Sequence, residues 1–158
     1  MNKMTRRGLV AALGVTGAGV CMCGANEGCA TFTKKGKTPA MDAAAYVIEG
    51  NTVKVALDQV PSLAAVGGSA KIIDSRLPIP IIVARTGECD YAAVSLLCPH
   101  RGVEVEYQPD QRRFRCVSLG HSKFGEDGAL RSGFARTGLT RFATLTDPSD
   151  KNVLTVSF

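Results

Sequence analysis

The chain contains only two histidines, and each follows a cysteine closely, in Cys98-Pro99-His100 and in Cys116-Val117-Ser118-Leu119-Gly120-His121. Thiolate sulfur and imidazole nitrogen are the donors that hold zinc and iron–sulfur centres. Two short loops, Leu97 to Val103 and Cys116 to Phe124, would each supply one thiolate and one imidazole. A fold that serves this pattern must bring both loops to one end. No other feature of the chain constrains its architecture as strongly.

Around these loops, apolar residues recur at every second position. Val53, Val55 and Leu57 alternate with Thr52, Lys54 and Ala56, and Leu154, Val156 and Phe158 alternate with Val153, Thr155 and Ser157. That period is the signature of half-buried strands. Ile79 to Ala84 is a mostly β-branched run that predicts a buried strand, and Tyr91 to Leu97 leads directly into Cys98. Turns are marked by Gly67-Gly68, Gly87 and Glu126-Asp127-Gly128. Short strands at regular spacing, with no long helical period, predict an all-β antiparallel sandwich or barrel.

The stretch from Leu97 to about Leu139 resembles the Rieske iron–sulfur family. Cys98-Pro99-His100-Arg101-Gly102 is similar to that family's C-x-H-x-G loop. Cys116 to Gly128 is similar to its C-P-x-H-G-S-x-F/Y-D loop and following D-G turn, with Ser122, Phe124, Asp127 and Gly128 on matching positions. Gly133-Phe134-Ala135 lies where many members carry Gly-Pro-Ala over the cluster. The resemblance implies one [2Fe–2S] cluster per chain, with Cys98 and Cys116 on one iron and His100 and His121 on the other. It implies a small cluster-binding subdomain on a β-sandwich or barrel. Leu96, Leu97, Leu119 and Phe134 are expected to shield the cluster.

Mixed ligation has an electrostatic purpose. Two ferric ions, two sulfides, two thiolates and two neutral imidazoles carry no net charge, whereas four thiolates would leave the oxidised cluster dianionic. Potentials accordingly rise to roughly −150 to +300 mV, against roughly −400 mV for plant-type ferredoxins. Such a centre suits exchange with quinones, cytochromes or similar partners.

The second loop departs from the family pattern. Its spacing is C-x4-H rather than C-x-x-H, and Gly120-His121-Ser122 stands where the family has His-Gly-Ser. His121 reaches the iron if Leu119-Gly120 bulges; otherwise the scaffold has lost its fourth ligand. The paired cysteines that link the loops in many quinol-oxidising members are both missing, replaced by Val103 and by Leu119 or Ser118. Ser122 is kept, and its hydroxyl is implied to hydrogen-bond a cluster sulfide. Phe124 replaces the family tyrosine, so one hydrogen bond fewer stabilises the reduced state and the potential is expected low in the Rieske range. Zinc is the competing metal, although zinc fingers usually pair Cys with Cys and His with His along the chain.

The N-terminus reads as a leader. Thr5-Arg6-Arg7 precedes a small-residue apolar run from Gly8 to Gly24, a pattern of twin-arginine export. That route moves folded proteins and suits a cluster inserted before export. Residues 1–25 are therefore expected to be a signal or anchor, 26–45 a linker flexible from about Thr31, and 46–158 the cluster-bearing domain. Removing residues 1–25 lowers the net charge from +5 to +2, so the basic balance belongs in part to the leader. Arg112, Arg113 and Arg115 are expected on a solvated strand edge, and with sparse aromatics and no Trp a nucleic-acid partner is excluded. Cys21, Cys23, Cys29 and Cys89 are read as unligated thiols.

The expected function is electron transfer in a bacterial cell envelope. The protein would be periplasmic, or anchored to the membrane facing the periplasm, and would serve a redox protein or a quinone-linked membrane complex. A carrier or oxidoreductase subunit is expected rather than a stand-alone enzyme. The alternative is a non-redox binding or structural module on the same β fold, with a degenerate or zinc-filled Cys2His2 site.

Overall fold

The computed structural model describes residues 35–147 and 149–158. The leader expected over residues 1–25, with Cys21, Cys23 and the nearby Cys29, lies outside them.

The described chain is all-β. Its strands are β1 (Tyr46–Glu49), β2 (Thr52–Ala56), β3 (Ser69–Ile72), β4 (Ile81–Arg85), β5 (Tyr91–Ser95), β6 (Leu97–Cys98), β7 (Val103–Gln108), β8 (Arg113–Cys116), β9 (Lys123–Gly125), β10 (Leu130–Ser132), β11 (Arg141–Thr146) and β12 (Val153–Ser157). They form a seven-stranded sheet in the order β1-β2-β12-β11-β5-β4-β3 and a five-stranded sheet in the order β10-β9-β8-β7-β6. Neighbouring strands pair antiparallel throughout.

The period-two segments become strands as their pattern requires. Val53 and Val55 of β2 and Leu154 and Val156 of β12 are buried, and the two strands pair from Thr52↔Ser157 to Ala56↔Val153. Leu57 does not extend β2. A 3-10 turn over Leu57–Gln59 begins there, closed by the Val60 N–H on the Leu57 carbonyl.

The apolar run near residue 80 has a tertiary explanation. Strand β4 begins at Ile81, after Pro80, which has no amide proton to give a ladder. Residues Ile81 to Ala84 are all fully buried. Ile81 and Val83 pack in a core with Val53, Val55, Leu63, Ile72 and Leu154. Ile82 and Ala84 face the other way, into a second core with Val94, Leu96, Val105, Phe114 and Phe124. Strand β4 is thus a shared wall, and both faces of its sequence must be apolar. The second core also contains Cys98 and Cys116.

The described part of the expected linker is tied to both sheets. Lys71 of β3 donates its amide N–H to the Pro39 carbonyl and accepts the Met41 N–H on its own carbonyl, each at 2.8 Å. The Gly36 N–H reaches Glu104 Oε2 of β7 at 2.7 Å, and the Lys37 N–H meets Glu106 Oε1. Beneath this segment Lys71 Nζ and Glu104 Oε2 form a buried ion pair at 2.8 Å. Each partner lies in a different sheet.

The arginine-rich segment is not at an edge. Strand β8 lies between β7 and β9. Arg112, just before it, pairs with Glu126 at 2.9 Å, and Arg113 Nε donates to Gln108 Oε1.

Candidate metal centre

The five-stranded sheet sets the two loops side by side. Strands β6 and β7 form a hairpin in which Cys98 pairs with Val103, and its loop carries His100. The Gly102 N–H closes this loop on the Cys98 carbonyl at 2.8 Å, with Gly102 at φ +65°. That left-handed backbone costs glycine little. Strand β8 runs antiparallel to β7 and ends at Cys116, opposite Val105. The start of β7 and the end of β8 therefore meet at one end of the sheet.

Three donor groups converge there. Cys98 Sγ lies 2.9 Å from His100 Nδ1, and Cys116 Sγ lies 3.9 Å from the same nitrogen. The ligand atoms of Cys98, His100 and Cys116 all fall within 4.8 Å of one another. Both cysteines are fully buried, and His100 is partly exposed. Burial pushes the Cys98 thiol up to about 11, against the lowering influence of the His100 backbone N–H and the Ser122 hydroxyl. A metal competes with protons for such a sulfur, and its positive charge supplies what the apolar surroundings withhold.

His121 is placed differently. Cys116 donates its N–H to the Ser122 carbonyl at 2.8 Å, and His121 donates its N–H to the Ser118 carbonyl at 3.0 Å. The inner turn, with Leu119 and Gly120 at its centre, takes up the additional residue of this loop. His121 then adopts φ +41°, the left-handed region that costs non-glycine residues roughly 1–2 kcal/mol. Its Nδ1 lies 3.5 Å from the Cys116 carbonyl oxygen. Among the described residues, the three-donor group does not include it.

Two serines surround the sulfurs. Ser122 is fully buried, and its Oγ accepts the Ala135 N–H at 3.0 Å. Ser118, also buried, lies 3.3 Å from Cys116 Sγ and 3.3 Å from His100 Nε2. The sequence placed Ser118 only as a stand-in for a missing cysteine. Its position two residues after a ligand cysteine is the signal that could have found it. Gly133, at φ +107°, passes so close that a Cβ there would lie 2.4 Å from Ser122 Cα. Phe124 is fully buried in the core that holds both thiols.

The expected apolar shield is only partly built. Leu96 is buried, but Leu97, Leu119 and Phe134 are 38%, 86% and 75% exposed. Leu119 occupies the tip of the turn that the additional residue creates, so it projects outward. The Phe134 ring lies over Gly120, where a Cβ would come within 2.3 Å of it. Cys89 is a free, exposed thiol away from this centre.

A β-sandwich whose smaller sheet holds two such loops at one end is a Rieske-type fold, and the resemblance carried by the loop residues is borne out at that level. The fold is similar to that of the ferredoxin of carbazole 1,9a-dioxygenase from Nocardioides aromaticivorans IC177. The TM-score is 0.54 at 18% identity, over 68% of this chain and 98% of the ferredoxin. The plasma membrane Rieske protein PetC3 from the cyanobacterium Synechocystis PCC 6803 also matches, with a TM-score of 0.45 at 25% identity, over 52% of this chain and 81% of PetC3. No protein-family profile and no curated protein sequence matches the chain.

Proposed function

We propose that this protein is a one-electron carrier built on a Rieske-type [2Fe–2S] cluster. The observation that supports it is the convergence of two buried thiols and one imidazole, drawn from two loops, within 4.8 Å. The donor chemistry fits, because thiolates and imidazole together are the Rieske ligand set. Cys98 and Cys116 would hold one iron and His100 the other. His121, as the remaining imidazole of the chain, would complete the set by turning its ring away from the Cys116 carbonyl. When bound, the cluster accepts and releases a single electron.

The chain's own groups prepare the site for that role. The apolar core around Cys98 and Cys116 excludes water from the thiolate side. The His100 backbone N–H and the Ser122 hydroxyl offset part of the negative charge of the Cys98 sulfur. The partly exposed His100 leaves one side of the centre open to a partner. We assign that partner to the mid-potential redox proteins or quinone-linked membrane complexes of the cell envelope.

Iron, acid-labile sulfide and the visible spectrum of the purified protein test this reading. Two irons and two sulfides per chain with a red-brown absorption are expected. A colourless protein without sulfide would overturn it. One observation favours zinc as the second reading. Tetrahedral zinc with one sulfur and one nitrogen ligand separates those donors by about 3.6 Å, between the 2.9 Å and 3.9 Å observed here. The same assay separates the two, since the zinc form contains zinc without iron or sulfide.

Location is tested at the leader. Replacing Arg6 and Arg7 with lysines should hold the loaded protein in the cytoplasm with its spectrum intact, as read by cell fractionation. Unchanged export would point to the general secretory route, which reads positive charge and hydrophobicity alone.

A further inference from the structure

Ser118 touches both ligand loops. It is buried, two residues beyond Cys116, and its Oγ lies 3.3 Å from Cys116 Sγ and 3.3 Å from His100 Nε2. His100 directs its other nitrogen, Nδ1, at the two sulfurs. Facing two thiols, which donate, or a metal, which needs a lone pair, Nδ1 must be unprotonated, so the single proton of a neutral imidazole belongs on Nε2. Ser118 Oγ is the acceptor at that nitrogen. A hydroxyl that accepts one proton is free to donate its own, and Cys116 Sγ lies at the right distance to receive it.

We infer that Ser118 is a positioning residue of the metal centre: it holds His100 in the Nε2–H tautomer and ties the first loop to the second through Nε2–H···Oγ–H···Sγ. The inference deepens the cluster reading and rests on it only for the effect on potential. It gives the loops a polar link where the chain has no pair of loop cysteines. It also places a hydroxyl at the Cys116 sulfur. A partner on the far nitrogen of a ligating imidazole fixes ring orientation, and a hydrogen bond to a ligating sulfur favours the reduced state.

The test compares the full-length protein with Ser118→Ala and Ser118→Thr, all as purified. With iron and sulfide present in each, Ser118→Ala should shift the reduction equilibrium about fivefold toward the oxidised form, roughly 40 mV at 59 mV per decade. Ser118→Thr, which keeps the hydroxyl, should restore the wild-type midpoint. An unchanged midpoint in Ser118→Ala overturns the assignment. So does loss of the cluster in Ser118→Ala that Ser118→Thr does not rescue, because that pattern reflects packing alone.

If the wild-type protein carries neither iron nor sulfide, the cluster reading fails on that count. The Ser118 assignment is then read on the same samples from histidine side-chain 15N–1H spectra. A single Nε2–H form of His100 in the wild type and in Ser118→Thr, giving way to mixed tautomers in Ser118→Ala, supports it. Mixed tautomers in the wild type, or a single unchanged form in Ser118→Ala, overturn it.

Discussion

Cys98→Ser, Cys116→Ser and His100→Ala will each strip the purified protein of iron, sulfide and visible colour, while its far-ultraviolet circular dichroism stays that of a β protein. Loss of a hydrogen-bond partner outside the ligand set typically costs 10–100-fold in metal affinity. Removing a donor must cost more. Serine nearly matches the volume of cysteine, so the two buried positions keep their packing and the effect reports ligation. His100 is partly exposed, so its truncation leaves little cavity. His121→Ala is the decisive fourth variant. If His121 completes the site, this variant also loses the cluster. A full cluster after His121→Ala would mean that the left-handed turn at residue 121 keeps the ring outside, and that the C-x4-H spacing does not ligate. Iron and sulfide per chain, measured on all four proteins, decide between these outcomes.

Lys71→Met will destabilise the domain by about 3–5 kcal/mol, because it leaves the buried Glu104 carboxylate without its cation. That is a large share of the roughly 5–15 kcal/mol that holds a typical domain folded. A fall in Tm on the order of 10 °C follows. Lys71 and Glu104 are 9% and 8% exposed at the side chain, and their bridge joins the two sheets. Glu104 retains the Gly36 N–H in the variant, which lessens the penalty without removing it. The Glu104 carbonyl also accepts the Val117 N–H at 3.1 Å, directly beside Cys116. The double variant Lys71→Met, Glu104→Leu should recover most of the loss, since apolar replacement of a whole buried pair is often neutral. Thermal unfolding of the three proteins checks this. A double variant no more stable than Lys71→Met would show that the pair does more than neutralise a buried charge.

The strands were legible because alternation states which face of a strand is buried. β2 and β12 form where Val53, Val55, Leu154 and Val156 predict them. The same reading overran at Leu57, since a period of two cannot distinguish a strand's last residue from the first of a tight turn. The run from Ile79 to Ala84 announced a buried strand but not its two neighbours. Nothing local tells that Ile81 and Ile82 face different cores.

The chain by itself determined which residues are donors and that two loops bear them, because Cys98-Pro99-His100 and the segment from Cys116 to Ser122 are continuous stretches whose chemistry lies in their residue types. Only the tertiary structure decided which donors meet. Cys98, His100 and Cys116 converge because antiparallel pairing of β7 with β8 carries both loops to the same end. His121 stands apart because the additional residue is absorbed in a turn whose backbone sign no spacing rule states. Ser118 enters the site, and Lys71 meets Glu104 across 33 residues of chain, through packing of elements distant in sequence. Loop composition is a local property that the sequence displays directly. The direction of a side chain, and its partner from another sheet, exist only once the chain has closed on itself.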